Sequence, residues 1–165
     1  MENLKFTKIR DVRTPEYGTP GSAGIDFFIP NDCSSNIYIP PRTDVLIPSG
    51  IKAKVPDGYT LIAKNKSGIA TSFGAMRRAG KEPKKTQPLA SIIVGACVID
   101  SDYQGEIHIH LINVGNTEVI LEPGMKIVQF ILVPIEQARL IEVPEAKLFS
   151  EITERGTGGF GSTNK

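Results

Sequence analysis

The chain predicts an all-β protein, a jelly roll or barrel, on two observations. Short apolar runs rich in Val and Ile recur between Pro, Gly, Asn and Asp residues, the pattern of strands bounded by turns. Helical periodicity persists nowhere; its best stretch, "FGAMRRAG", covers only two turns.

In chain order the strand runs are "DVLIPSGIKAKVP", "YTLIAKN", "LASIIVGACVID", "EIHIHLIN", "TEVILEPG", "KIVQFILVPI" and "ARLIEVP". The fourth alternates cleanly: Ile107, Ile109 and Leu111 belong to one face, Glu106, His108 and His110 to the other. His108 and His110 stand two apart, as a metal chelate would need. No third or fourth ligand accompanies them, so a solvated or subunit-facing polar row is the expectation.

The bulk numbers remove several function classes. With 165 residues the chain is about one domain long, and 40% hydrophobic and 22% charged residues are ordinary globular values. Nineteen basic against eighteen acidic residues leave a net charge of +1, which supplies no global field for nucleic acid or an anionic membrane. Any anion must therefore be held locally. The first ten residues lack an apolar core of signal-peptide length, and runs such as "FILVPI" are too short to span a bilayer. A soluble, cytoplasmic protein with no membrane partner is expected. Cys33 and Cys97 show no ligand spacing and are expected to be ordinary reduced thiols.

Residues 76–88, "MRRAGKEPKKTQP", place five basic and one acidic residue between Arg77 and Lys85, with two prolines, and read as an exposed loop. A nucleic-acid or regulatory-protein contact through this loop stands beside plain solvation. "GAMRRAGKE" fails as a phosphate-binding loop, because five residues separate Gly74 from Gly80 and Glu82 stands where Mg²⁺ binding requires Ser or Thr.

The stretch "RGTGGFGSTNK", Arg155 to Lys165, is costly to order, since glycine loses the most conformational entropy. Its contents nevertheless suit a ligand. Backbone N–H groups of Gly156, Gly158, Gly159 and Gly161 can approach an anion, Arg155 offers a bidentate fork, and Ser162 and Thr163 add hydroxyl donors. Phe160 is a large flat group with no local core to join. Phosphates at one end and a flat ring at the other describe a nucleotide, over which the segment would close as a lid.

Five motifs now resemble, in order and over nearly the whole chain, the trimeric deoxyuridine triphosphate nucleotidohydrolases, or dUTPases. They are "GSAGIDF" (Gly21 to Phe27), "NKSGIA" (Asn65 to Ala70), "VIDSDYQGE" (Val98 to Glu106), "GMKIVQ" (Gly124 to Gln129) and "RGTGGFGST" (Arg155 to Thr163). The resemblance implies a distorted jelly-roll homotrimer with exchanged C-terminal arms: a barrel over 1–150, carrying the basic insertion, and an arm over 151–165. It implies hydrolysis of dUTP to dUMP and pyrophosphate with Mg²⁺ on the triphosphate. That activity limits uracil in DNA and supplies dUMP for thymidylate synthesis.

By that resemblance Asp100 is the general base that aims water at the α-phosphorus, with Asp102 the alternative from sequence alone; position decides between them. Tyr103 packs on the deoxyribose. Val94, Gly95, Val98 and Ile99, in the hairpin leading to Asp100, read uracil through backbone groups, which makes cytosine mispair buried polar atoms. Lys66, Ser67, Gly68 and Gln129 serve the phosphates, and Asp26 stands near metal-bound waters, no residue binding the metal directly. Arg155 meets the distal phosphates, Phe160 stacks on uracil, and Gly158, Gly159, Gly161 and Ser162 complete the arm. Motifs one, two and four come from one chain, motif three from a second and the arm from a third.

The chain departs from the pattern in four places. Lys66 replaces the usual arginine, keeping charge but losing the planar fork. Val94 and Cys97 replace an asparagine and a glycine, and some fifteen extra residues lie between Ser67 and Asp100. A dCTP deaminase shares the fold, but its acid–base glutamate corresponds here to His110, and it lacks a "GGFGS" arm. A nucleotide-regulated binding module is the alternative of another class.

Overall fold

The computed structural model describes residues 2–70, 92–96 and 98–158. Within these, twelve strands and one helical turn follow in order: β1 (Lys5–Lys8), β2 (Glu16–Tyr17), β3 (Ile25–Phe28), β4 (Ile37–Ile39), β5 (Asp44–Pro48), β6 (Ile51–Lys54), β7 (Tyr59–Asn65), α1 (Ser67–Ala70), β8 (Ile92–Val94), β9 (Val98–Ile99), β10 (His108–Asn113), β11 (Val119–Leu121) and β12 (Lys126–Pro134). All pairs are antiparallel. The largest sheet runs β2-β3-β12-β7-β9; a second runs β5-β10-β8, and β1-β6 and β11-β4 are ribbons.

The alternation expected in β10 is present. Ile107, Ile109 and Leu111 are buried, and His108 and His110 face away from the core. β12 obeys a different rule. Its register shifts between Lys126 and Val128, so the neighbours Ile127 and Val128 are both buried and Lys126 comes level with Phe28. A bulge of this kind re-aims a side chain at the end of a strand. β3 is buried at all four positions, Ile25 to Phe28, and packs its Phe27 ring 4.6 Å from that of Phe130 at a tilt of 52°. Burying a side chain of this size contributes roughly 1.5–3 kcal/mol.

Asn113, fully buried at the end of β10, donates to the carbonyls of Ile39 (2.9 Å), Pro40 (3.2 Å) and Thr117 (2.8 Å), and accepts the Gly115 N–H at 3.0 Å. It replaces ladder bonds where the strand ends.

Two expectations change here. "ARLIEVP" forms no strand: residues 135–157 are all exposed, with Leu140 at 94% and Ile152 at 96%, and hold a 3-10 turn at Glu145–Lys147 and a further turn at 154–157. Ordering an apolar run as a strand takes a partner strand, and among the described residues none pairs with this run. The last strand of the described residues ends at Pro134. One helical turn, α1, forms the second part of motif two, where no helix was expected. The "FGAMRRAG" stretch and the basic loop 76–88 lie outside the described residues. Among the described residues no helix is long and apolar enough to cross a membrane.

Candidate active site

β7 organises the site. On one side it pairs with β12, matching Asn65 to Val128 and Lys64 to Gln129; β12 then matches Gln129 to Asp26 of β3. Three segments distant in sequence thus lie abreast, and motifs one, two and four meet at one end of the large sheet.

The central group is Asp26, 3% exposed. Its Oδ2 accepts from Lys126 Nζ at 2.7 Å, and its Oδ1 is paired with Lys66 Nζ. Burial pushes the carboxyl upward, but the hydrogen bonds and charges of Lys126 and Lys66 outweigh it and hold Asp26 below the ordinary carboxylate range. Lys126 also lies 3.6 Å from Glu16 and 5.5 Å from the centroid of Phe28. Lys66, expected to face phosphates, is therefore tied to Asp26. Ser67 and Gly68 follow it in α1, Ser67 exposed, where Lys66 O accepts the N–H groups of Ile69 and Ala70, each at 2.9 Å.

Gln129 leans across Gly24. A Cβ there would collide with the Gln129 amide and stand 2.9 Å from its Cβ, so only glycine permits the approach. The Gln129 amide donates to the Asn65 carbonyl at 2.9 Å, while the Asn65 side-chain oxygen accepts the Val94 N–H at 2.7 Å. Asn65 therefore ties the end of β8 to the end of β7 and to Gln129 of β12.

Motif three stands elsewhere. β9 pairs with β7 through Ile99–Leu61 and Val98–Ile62, and Thr60 donates to Ile99 O at 2.8 Å. Asp100 is exposed just past Ile99, in a turn where Tyr103 N–H donates to its carbonyl at 3.2 Å. Asp102 is exposed in the same turn. The Tyr103 hydroxyl donates to Glu106 O at 2.9 Å, which orients its half-exposed ring. From Leu61 to Lys66 is five residues, about 17 Å of strand. Within one chain, Asp100 and Ser67 belong to opposite ends of β7.

Arg155 donates to Gly158 O at 2.9 Å, and Gly158 N–H returns a bond to Arg155 O at 2.9 Å, so the start of motif five closes on itself. Gly159, Phe160, Gly161, Ser162 and Cys97 lie outside the described residues. His110 is no solvated row member: its ring bonds both Asp44 and the backbone of Ala96.

Among the described residues no cluster of three or more His, Cys, Asp or Glu could hold a metal. Asp26 has both oxygens on lysines. A hard ion at this site would take its oxygens from the substrate, meeting Asp26 through water only once a lysine turns away.

Lys126, Asn65 and Asp44 received no role of their own from the sequence. Asp44 and His110 are 66 positions apart, and nothing local pairs them.

The dUTPase family model matches residues 83–164. The deoxyuridine 5'-triphosphate nucleotidohydrolase of Chlamydia pneumoniae is 39% identical over 149 residues, covering 90% of this chain and 89% of that protein. A dUTPase of Staphylococcus bacteriophage 80alpha, solved with dUpNHpp, superposes with a TM-score of 0.74 at 20% identity over 100% of both chains. A mutant dUTPase from phage phi11 of S. aureus, described with a structural Mg(II) ion, gives a TM-score of 0.66 at 18% identity, over 87% of this chain and 98% of that one.

Proposed function

The chain belongs to the dUTPase family, and on that footing we propose that it hydrolyses dUTP to dUMP and pyrophosphate at sites shared between subunits of a homotrimer. The observation that carries the reading is the division along β7: Asp26, Lys66, Lys126 and Gln129 at one end, Asp100 and Tyr103 at the other. A carboxylate acting on the α-phosphorus must stand beside the groups that hold the phosphates. About 17 Å of strand separates them in one chain, so one subunit's Asp100 works against another's phosphate end.

In this reading the triphosphate displaces Lys66 from Asp26 and takes its ammonium, with Ser67 and Gly68 N–H beside it, while Lys126 keeps the carboxylate neutralised. Gln129, seated over Gly24, donates to the phosphate chain. Asp100 accepts a proton from water and aims it in line with the leaving pyrophosphate. Tyr103 closes the sugar side and leaves no room for a 2′-hydroxyl. Backbone groups of Val94, Gly95, Val98 and Ile99 read the uracil edge. Mg²⁺ carried by the substrate supplies charge neutralisation. The segment 151–165 is the arm, which brings Arg155, Gly158, Gly159, Phe160, Gly161 and Ser162 over a neighbour's nucleotide. Deamination of dCTP is disfavoured, because the position that would move its proton is His110, already engaged by Asp44 and Ala96.

The decisive assay measures pyrophosphate release from dUTP, dCTP, dTTP and UTP side by side, for the wild type and for Asp100→Asn. Expected is release from dUTP alone, lost by more than about a thousandfold in the variant, with dUpNHpp still bound. Release from all four nucleotides, or near-normal turnover by the variant, overturns the reading.

A further inference from the structure

The turn that follows β8 rests on an imidazole. His110 Nδ1 accepts the Ala96 N–H at 3.0 Å, and the His110 carbonyl accepts the Gly95 N–H at 3.0 Å. Its Nε2 lies 3.0 Å from Asp44 Oδ2 on β5. A nitrogen that accepts a backbone N–H carries no proton, so the proton sits on Nε2, directed at the carboxylate. Gly95 is what lets the ring lie there: a Cβ would collide with Nδ1 and stand 2.9 Å from Cγ. Asp44, His110 and the Gly95–Ala96 turn thus form a chain of bonds from β5 through β10 to the hairpin, on the polar side of β10. The ring keeps only 24% of its side-chain surface exposed.

We propose that His110 is a positioning residue for nucleobase recognition: held by Asp44 as the Nε2–H tautomer, it fixes the Gly95–Ala96 turn in the conformation that presents backbone groups to the base. This rests on the hairpin reading uracil, as proposed above. His110 touches neither the phosphates nor the attacking water in this scheme. Its loss falls on substrate affinity and leaves the chemical step alone.

Two variants and one spectrum test it. Asn places an amide oxygen where Nδ1 stands, whereas Leu fills the space and accepts nothing. In His110→Leu the KM for dUTP is expected to rise about tenfold, with kcat within about twofold, which is the loss of one stabilising bond at about 1.4 kcal/mol per decade. His110→Asn is expected to keep KM within about threefold of wild type. ¹⁵N NMR of the wild-type imidazole is expected to show a protonated Nε2 and a hydrogen-bonded, unprotonated Nδ1, which needs no turnover. An unchanged KM in His110→Leu overturns the proposal, as does Asn behaving like Leu. A wild-type spectrum with the proton on Nδ1 overturns it as well, even if His110→Leu fails to fold. Absence of dUTP hydrolysis by the wild type counts against the proposed function, while the spectrum still decides the tautomer.

Discussion

Lys126 Nζ stands 2.7 Å from Asp26 Oδ2, a pair formed because the bulge in β12 brings a lysine level with a buried position of β3. With Lys66 on the other oxygen, one carboxylate serves two cations. Removing it leaves two ammonium groups facing each other in a largely closed place.

Asp26→Asn is therefore expected to lower stability by about 3 kcal/mol at pH 7. The Asp26 pKa is depressed in the fold, so its contribution is complete at neutral pH and is lost as pH falls through the lowered value. Urea unfolding at a series of pH values checks this: the gap between wild type and variant should close below the ordinary carboxylate range. Equal stability at pH 7, or a gap that persists into acid, contradicts the ion-pair account.

Gly24→Ala drives a methyl group into Gln129. Expected is at least a tenfold fall in kcat/KM for dUTP, of the size a misplaced hydrogen-bond donor produces. A double variant with Gln129→Ala should be no worse than Gln129→Ala alone, since both changes act through one side chain. Additive losses would show that Gly24 acts through something else.

Removing Gly156 onward should leave the thermal midpoint and subunit number unchanged, because its described residues, 156–158, are no part of the buried core. Hydrolysis should fall by more than about a hundredfold as the lid is lost. Full activity in the shortened chain would reject the lid.

Legibility in the sequence followed the range of the interaction. β7, β10 and β12 were readable because each is an apolar run with turn residues at its ends, and alternation set the buried face of β10. The phosphate-side and base-side candidates were found as motifs, and the resemblance gave them roles. What stayed hidden was what folding juxtaposes. No periodicity ties Asp44 to His110, or Lys126 to Asp26, and the lysine's new neighbour comes from a bulge that hydrophobic pattern does not encode. The "ARLIEVP" run misled for the opposite reason: its composition favours extended pairing, yet among the described residues no strand pairs with it.

The spacing built into β7 has a genetic consequence. If each catalytic pocket draws its halves from different copies, a copy lacking Asp100 and a copy lacking Gln129, each inert by itself, should regain hydrolysis when refolded as a mixture, because some pockets then combine two intact halves. Conversely, a copy that has lost Asp100 alone would silence only the pocket to which it lends that residue, whereas a copy that has lost both Asp100 and Gln129 would silence two.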